Sequence, residues 1–143
     1  MIATTSMAIA AGTQLPPLTL LPVKRMQLAL FAGASGDHHP IHIDIDFARK
    51  AGWPDVFAHG MLGMAWLGRL LTNWMPQAQL RKWNVRFLGI TQLDHVITCS
   101  GVVKEIVEFD GESTAIVQIQ TINQYGEVRI AGEAMVALPA TQN

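Results

Sequence analysis

The stretch from His59 to Trp74 constrains this chain more than any other. Met61, Leu62, Met64, Ala65, Trp66, Leu67, Leu70 and Leu71 fall on every side of a helical wheel, and Arg69 is the only full charge among them. A helix that is apolar all round has to be covered by the rest of the molecule. It reads as a core helix and not as a membrane span, because its apolar run, Gly60–Leu71, is too short to cross a bilayer. Pro76 lies just past its end. Beyond it the period changes to two. Ala115, Val117 and Ile119 alternate with Gln118 and Gln120; Val128, Ile130, Ala134, Val136 and Leu138 alternate with Glu127, Arg129 and Glu133. These are half-buried strands, joined at turns over Asp110–Gly111 and Gln124–Gly126. Leu80–Phe87 and His95–Glu108 fit the same pattern less cleanly. The expected architecture is α+β, a single domain over residues 1–143 in which an antiparallel sheet wraps around one long central helix.

Ahead of that helix, Val23–Phe31 has helical spacing, with Leu28 and Phe31 three apart. Gly33–Pro40 reads as a loop. Asp44–Ala51 reads as a short helix that Asp44 caps and that Gly52 and Pro54 end. Residues 1–12 are small and apolar without Lys or Arg, so they predict a loosely ordered arm rather than a signal peptide.

Half of the residues are hydrophobic and only 15% are charged, against roughly a quarter charged in a typical globular domain. That balance predicts a large surface buried in an oligomer or along an apolar ligand tunnel. A net charge of −1 offers no basic field, so no nucleic acid partner is expected. The single cysteine, Cys99, excludes an internal disulfide and reads as a small buried hydrophobe in a reduced, cytoplasmic protein with no membrane association. Trp66 and Trp74 share a helix face and read as packing residues. Arg81, Lys82 and Arg86 read as a solvated strand face, with a phosphate contact as the lesser alternative.

The densest polar cluster is Ser35-Gly36-Asp37-His38-His39-Pro40-Ile41-His42. Asp37 and His42 are five apart across a loop that Gly36 lets turn and Pro40 stiffens, so both side chains can face one cavity. A carboxylate beside an imidazole is suited to moving a proton at neutral pH. A polar surface loop is the equal alternative on spacing alone. A second element, Ala58-His59-Gly60-Met61, opens the buried helix. The free backbone N–H groups of a first helical turn stabilise developing negative charge, and Gly60 lets a ligand come close to them. The role falls on the Gly60 N–H and not on the His59 imidazole. Three nearby histidines, His38, His39 and His42, have the composition of a zinc site. His38 and His39 are adjacent, however, and no further ligand presents itself, so no metal and no cofactor are expected.

Taken together, Phe31-Ala32-Gly33-x-Ser35-Gly36-Asp37-x-x-Pro40-Ile41-His42 and Ala58-His59-Gly60-Met61-Leu62 resemble the MaoC-like dehydratases. That family includes (R)-specific enoyl-CoA hydratases and (3R)-hydroxyacyl-carrier-protein dehydratase subunits. The resemblance runs from about Leu15 to Leu138, and its specific part is Phe31–Gly68. It implies a hot-dog fold and a dimer, either of two copies or with a related hot-dog subunit. It also implies a tunnel along the central helix for an acyl-CoA or acyl-carrier-protein thioester. The resemblance makes Asp37 and His42 the catalytic pair of a hydratase/dehydratase and the Gly60 N–H the oxyanion donor. His59, Met61, Trp53 and Gly68 are then substrate-binding candidates, Trp53 as a lid or tunnel wall. A hot-dog thioesterase and a subunit inactive without its partner are the rival readings. Two positions depart from the family's pattern. His39 stands where many members have an Asn that holds the loop, and Gly68 stands where some hydratases have Ser, which bears on substrate length and shape.

Overall fold

The computed structural model describes residues 8–140. Its order is β1 (Leu18–Thr19), α1 (Arg25–Ser35), α2 (Ile45–Lys50), α3 (Gly60–Trp74), β2 (Leu80–Phe87), β3 (Thr98–Phe109), β4 (Glu112–Ile122) and β5 (Val128–Ala137). A 3-10 turn, Pro40–His42, sits between α1 and α2. The strands form one antiparallel sheet in the order β1-β3-β4-β5-β2. This is the α+β, hot-dog arrangement expected from the sequence, with α3 against the concave face.

The alternation in β4 does what a period of two requires. Ala115, Val117 and Ile119 are buried in the core, whereas Gln118 is exposed. From β5 come Ile130, Ala134 and Val136, and from β3 Cys99 and Val103. Against them α3 buries Leu62, Trp66, Leu67, Leu70 and Leu71. The helix is not covered all round, however. Met61 is 57% exposed and Ala65 is also exposed, so one apolar stripe of α3 is left open by this chain alone. Among the described residues no helix is long and apolar enough to cross a membrane.

Local chemistry sets the other elements. Asp44 caps α2, its Oδ1 accepting from the N–H groups of Asp46 (2.9 Å) and Phe47 (3.2 Å). Helix α1 runs on to Ser35, through the start of the expected loop. It ends where Gly36 takes a left-handed φ of 76° and donates its N–H to Ala32 O. Gly33 remains helical, and the turn falls at the second glycine. Strand β1 has no local signal: it consists of two residues paired with Thr98 and Cys99. Strand β3 starts at Thr98 rather than His95 and shifts register between Val103 and Glu105.

Of the expected loose arm over residues 1–12, residues 1–7 lie outside the described residues. The remainder is held: Ile9 packs against the core and the Gly12 N–H donates to Val103 O at 2.7 Å. Cys99 is fully buried, and that burial pushes its thiol up to about 12, so it serves as a core atom and not as a nucleophile. Trp66 is buried and Trp74 packs against the core. Arg81 is committed to Glu112 through two 2.7 Å bonds, which leaves it no phosphate role.

Candidate active site

The loop between α1 and α2 has no core of its own and is organised by its side chains. Three successive bonds step along it, each from a backbone N–H to the side chain two residues earlier. The Asp37 N–H donates to Ser35 Oγ at 3.1 Å, the His39 N–H to Asp37 Oδ1 at 3.2 Å, and the Ile41 N–H to His39 Nδ1 at 3.2 Å. Pro40 then starts the 3-10 turn that ends on His42. His39 therefore supplies through its ring nitrogen the loop-holding acceptor expected of an Asn, and the departure from the family's pattern leaves the loop intact.

This ladder turns His42 inward. Its Nδ1 lies 2.7 Å from Phe57 O. A carbonyl only accepts, so Nδ1 carries the proton and Nε2 is left with a free lone pair. The Phe57 carbonyl is itself fixed, because residue 57 bridges to Gln92 and the Ala58 N–H donates to Thr91 O at 2.9 Å. Burial holds the His42 imidazole below its ordinary 6.5. The Phe57 hydrogen bond opposes this, the nearby His59 reinforces it, and the Asp37 charge and His39 act more weakly in opposite senses.

Asp37, His42 and His59 each bring one donor atom to within 4.8 Å of the others. That composition could hold a metal ion, but the ring geometry argues against it. The His42 and His59 rings are stacked, with centroids 3.9 Å apart and planes at 24°. Their in-plane lone pairs run side by side and do not converge on one point. An acid–base pair fits the arrangement better. Asp37 is exposed at the mouth, His42 half-buried, and His59 buried at 2%.

Gly60 begins α3, so its N–H is one of the first-turn groups without an intrahelical acceptor. It lines a cavity of about 110 Å³ together with Phe57, His59, Gly63, Phe87 and Ile90. A second hollow, about 290 Å³, reaches His42 from the α1 side between Met26, Ala29 and Ile43. His42 thus lines the second hollow, and His59, stacked on it, lines the first. A larger hollow of about 450 Å³ lies across β3, β4 and β5, beside Ser100, Gln118 and Gln120; it has no acid–base group and is set apart from this chemistry.

Among the other candidates, Met61 is exposed beside Gly60. Trp53 packs its ring edgewise on Phe57 at 5.2 Å, and Phe57 in turn packs on His42 at 5.3 Å, so Trp53 borders the site at one remove. Gly68 is not brought to it. A Cβ there would lie 2.5 Å from the Trp83 ring, so the space that a missing hydroxyl leaves is filled by indole and not by ligand. Two contributors had no signal in the sequence: the Phe57 carbonyl, which any residue would supply, and Phe87, whose ring would lie 3.1 Å from a Cβ on Gly60.

Fold and site together define a hot-dog protein with an Asp–His pair beside the N-terminus of its core helix. The chain belongs to the MaoC like domain family, whose pattern matches residues 8–124. An (R)-specific enoyl-CoA hydratase of Rhodospirillum rubrum is 28% identical to it over 120 residues, 82% of this chain and 81% of that protein. A mitochondrial 3-hydroxyacyl-[acyl-carrier-protein] dehydratase of Arabidopsis thaliana is 30% identical over 112 residues, 76% of this chain and 66% of that one. Fatty acid synthase subunit beta of Saccharomyces cerevisiae is similar too, at 26% identity over 114 residues, but the match spans only 5% of its length. The unliganded R-hydratase PhaJ1 from Pseudomonas aeruginosa shares the fold, with a TM-score of 0.81 at 24% identity over 92% of this chain and 83% of that one.

The environment of His42 gives a direct expectation. Its pKa in the folded protein lies below the ordinary 6.5. The neutral ring therefore persists below that pH, and the stability it contributes is lost as pH falls further, through the folded-state value. An NMR titration of the His42 ring should give an apparent pKa under 6.5; a value above it would contradict the buried, neutral assignment.

Proposed function

We propose that this protein is a hydratase/dehydratase of acyl thioesters. It adds water reversibly to a trans-2-enoyl-CoA or enoyl-carrier-protein and gives the (3R)-3-hydroxyacyl thioester. The observation that carries this reading is the meeting of Asp37 with a neutral His42 beside the open first turn of α3. Water sits between the two side chains. As its oxygen bonds to C3, one of the pair takes its proton and the pair returns a proton to C2. The electrons of the C2=C3 bond move toward the thioester carbonyl, whose oxygen the Gly60 N–H stabilises. Both side chains reach the same water, so the acid and base roles are carried by the pair and not divided between its members. The (3R) product follows from the likeness to the Rhodospirillum rubrum enzyme. A cytoplasmic setting suits the free, buried Cys99.

We propose further that two copies pair along β2. Among the described residues this strand bonds only to β5, so its outer edge is open. Beside it lie the exposed stripe of α3, Met61 and Ala65, and the exposed Phe87 and Leu88. A two-fold axis would cover edge and stripe together. Phe87 and Met61 flank Gly60, so the second copy would also close the tunnel.

Purified protein should consume the enoyl absorbance of a trans-2-enoyl-CoA. Asp37→Asn and His42→Gln should each keep the circular dichroism spectrum and lower kcat by about a hundred- to ten-thousandfold. Release of free CoA from a saturated acyl-CoA, without loss of enoyl absorbance, would instead identify a thioesterase.

Light scattering at micromolar concentration should give a dimer. Lys82 and Arg86 are exposed on the pairing edge, so two copies repel there and salt should tighten the dimer. A monomer at every salt concentration would overturn the two-copy pairing.

A further inference from the structure

Gly36, Asp37, His38 and His39 are all exposed, so the catalytic loop buries none of its own side chains there. An acid–base pair nevertheless has to be held to about half an ångström to work. A buried polar side chain reaches the loop from inside the molecule. His59, at the N-cap of α3 and 2% exposed, sets its Nε2 3.1 Å from Asp37 O. The carbonyl only accepts, so Nε2 bears the proton. The same ring lies flat against His42, with centroids 3.9 Å apart, and Phe31 packs on it at 4.8 Å with planes at 64°. One imidazole thus touches the backbone of one catalytic residue and the ring face of the other. Its remaining nitrogen, Nδ1, is buried without a hydrogen-bond partner. A Leu or Phe in that place would fill the space without stranding an acceptor, so packing alone does not call for a histidine.

We infer that His59 is a positioning residue of the acid–base pair: its Nε2–H fixes the Asp37 backbone while its ring covers one face of His42. The inference rests on the reading of Asp37 and His42 as that pair. The charged and titratable groups facing His42 are Asp37 and His39 on its own loop, His59 at the start of α3, and Arg25 of α1 across the shared hollow, where Arg25 is paired with Asp55. Of these His59 alone lies flat on the ring. Its removal both uncovers His42 and takes away a neighbour that disfavours its charge, and each change moves the His42 titration upward.

Two variants of the full chain separate the two contacts. His59→Gln retains an N–H for Asp37 O and loses the ring. The acid limb of kcat/KM should move to higher pH, with a smaller loss of kcat than in the other variant. His59→Phe retains a ring over His42 and loses the donor. Its kcat should fall about a hundredfold, the scale of an ångström of misplacement, with KM close to wild type and an acid limb that rises less than in His59→Gln, because only the His59 charge effect is lost. NMR titration of the His42 ring reads the same contrast without substrate, its midpoint rising further in His59→Gln, which loses both cover and neighbour, than in His59→Phe, which loses the neighbour alone. Unchanged kcat, acid limb and His42 midpoint in both variants, with only a lower melting temperature, would make His59 a packing residue and overturn the inference. Failure of the functional reading itself would look different: wild-type protein would not hydrate enoyl-CoA, while the His42 midpoints would still separate the variants.

Discussion

The packing of α3 into the concave sheet is the contact on which the rest of the molecule depends. Leu62, Trp66, Leu67, Leu70 and Leu71 are each at most 7% exposed, and a buried side chain of this size stabilises the fold by roughly 1.5–3 kcal/mol. The sheet curls to cover them, and this sets which strands must be long. It also places the first turn of α3, with its free N–H groups, at the rim of the core. A helix start at such a position favours developing negative charge, whatever loop comes to face it.

The loop that carries Asp37 and His42 is fixed to that helix start by directional hydrogen bonds and by the stack of the His42 and His59 rings. Ser35, Asp37 and His39 hold its backbone in steps of two residues, the Phe57 carbonyl fixes the His42 tautomer, and His59 joins the loop to α3. Each bond is modest in net energy, about 1 kcal/mol, but each is directional. The division of labour is therefore clear. Apolar burial makes the fold stable, and a chain of single hydrogen bonds sets the relative position of two proton-carrying side chains.

How much of this was legible in the sequence depends on how local its cause is. The helix at Gly60–Trp74 and the strands β4 and β5 declare themselves by period, and Asp44 by the cap it makes on the next two residues. Asp37 and His42 stand out because two proton-carrying groups share one short loop. Contacts made across the fold leave no such trace. Strand β1 exists only because Thr98 and Cys99 lie beside it. Gly33 looks like a turn residue until Gly36, three residues on, takes the left-handed conformation. Gly68 suggests space for a ligand, but Trp83, fifteen residues away on another element, fills it. The imidazole of His59 reads as a substrate-binding candidate, and its bond to Asp37 O leaves no trace in the sequence because it spans twenty-two residues and ends on a backbone atom.

In the proposed reaction Asp37 and His42 act on one bound water from one side of the substrate. Hydration of a trans-2-enoyl thioester in D2O tests it most directly, with the relative configuration of the C2 deuterium and the C3 hydroxyl read by NMR. A pair that holds a single water beside one face of the double bond delivers both groups to that face, so the addition should be syn. Anti addition, or a mixture of the two, would contradict it.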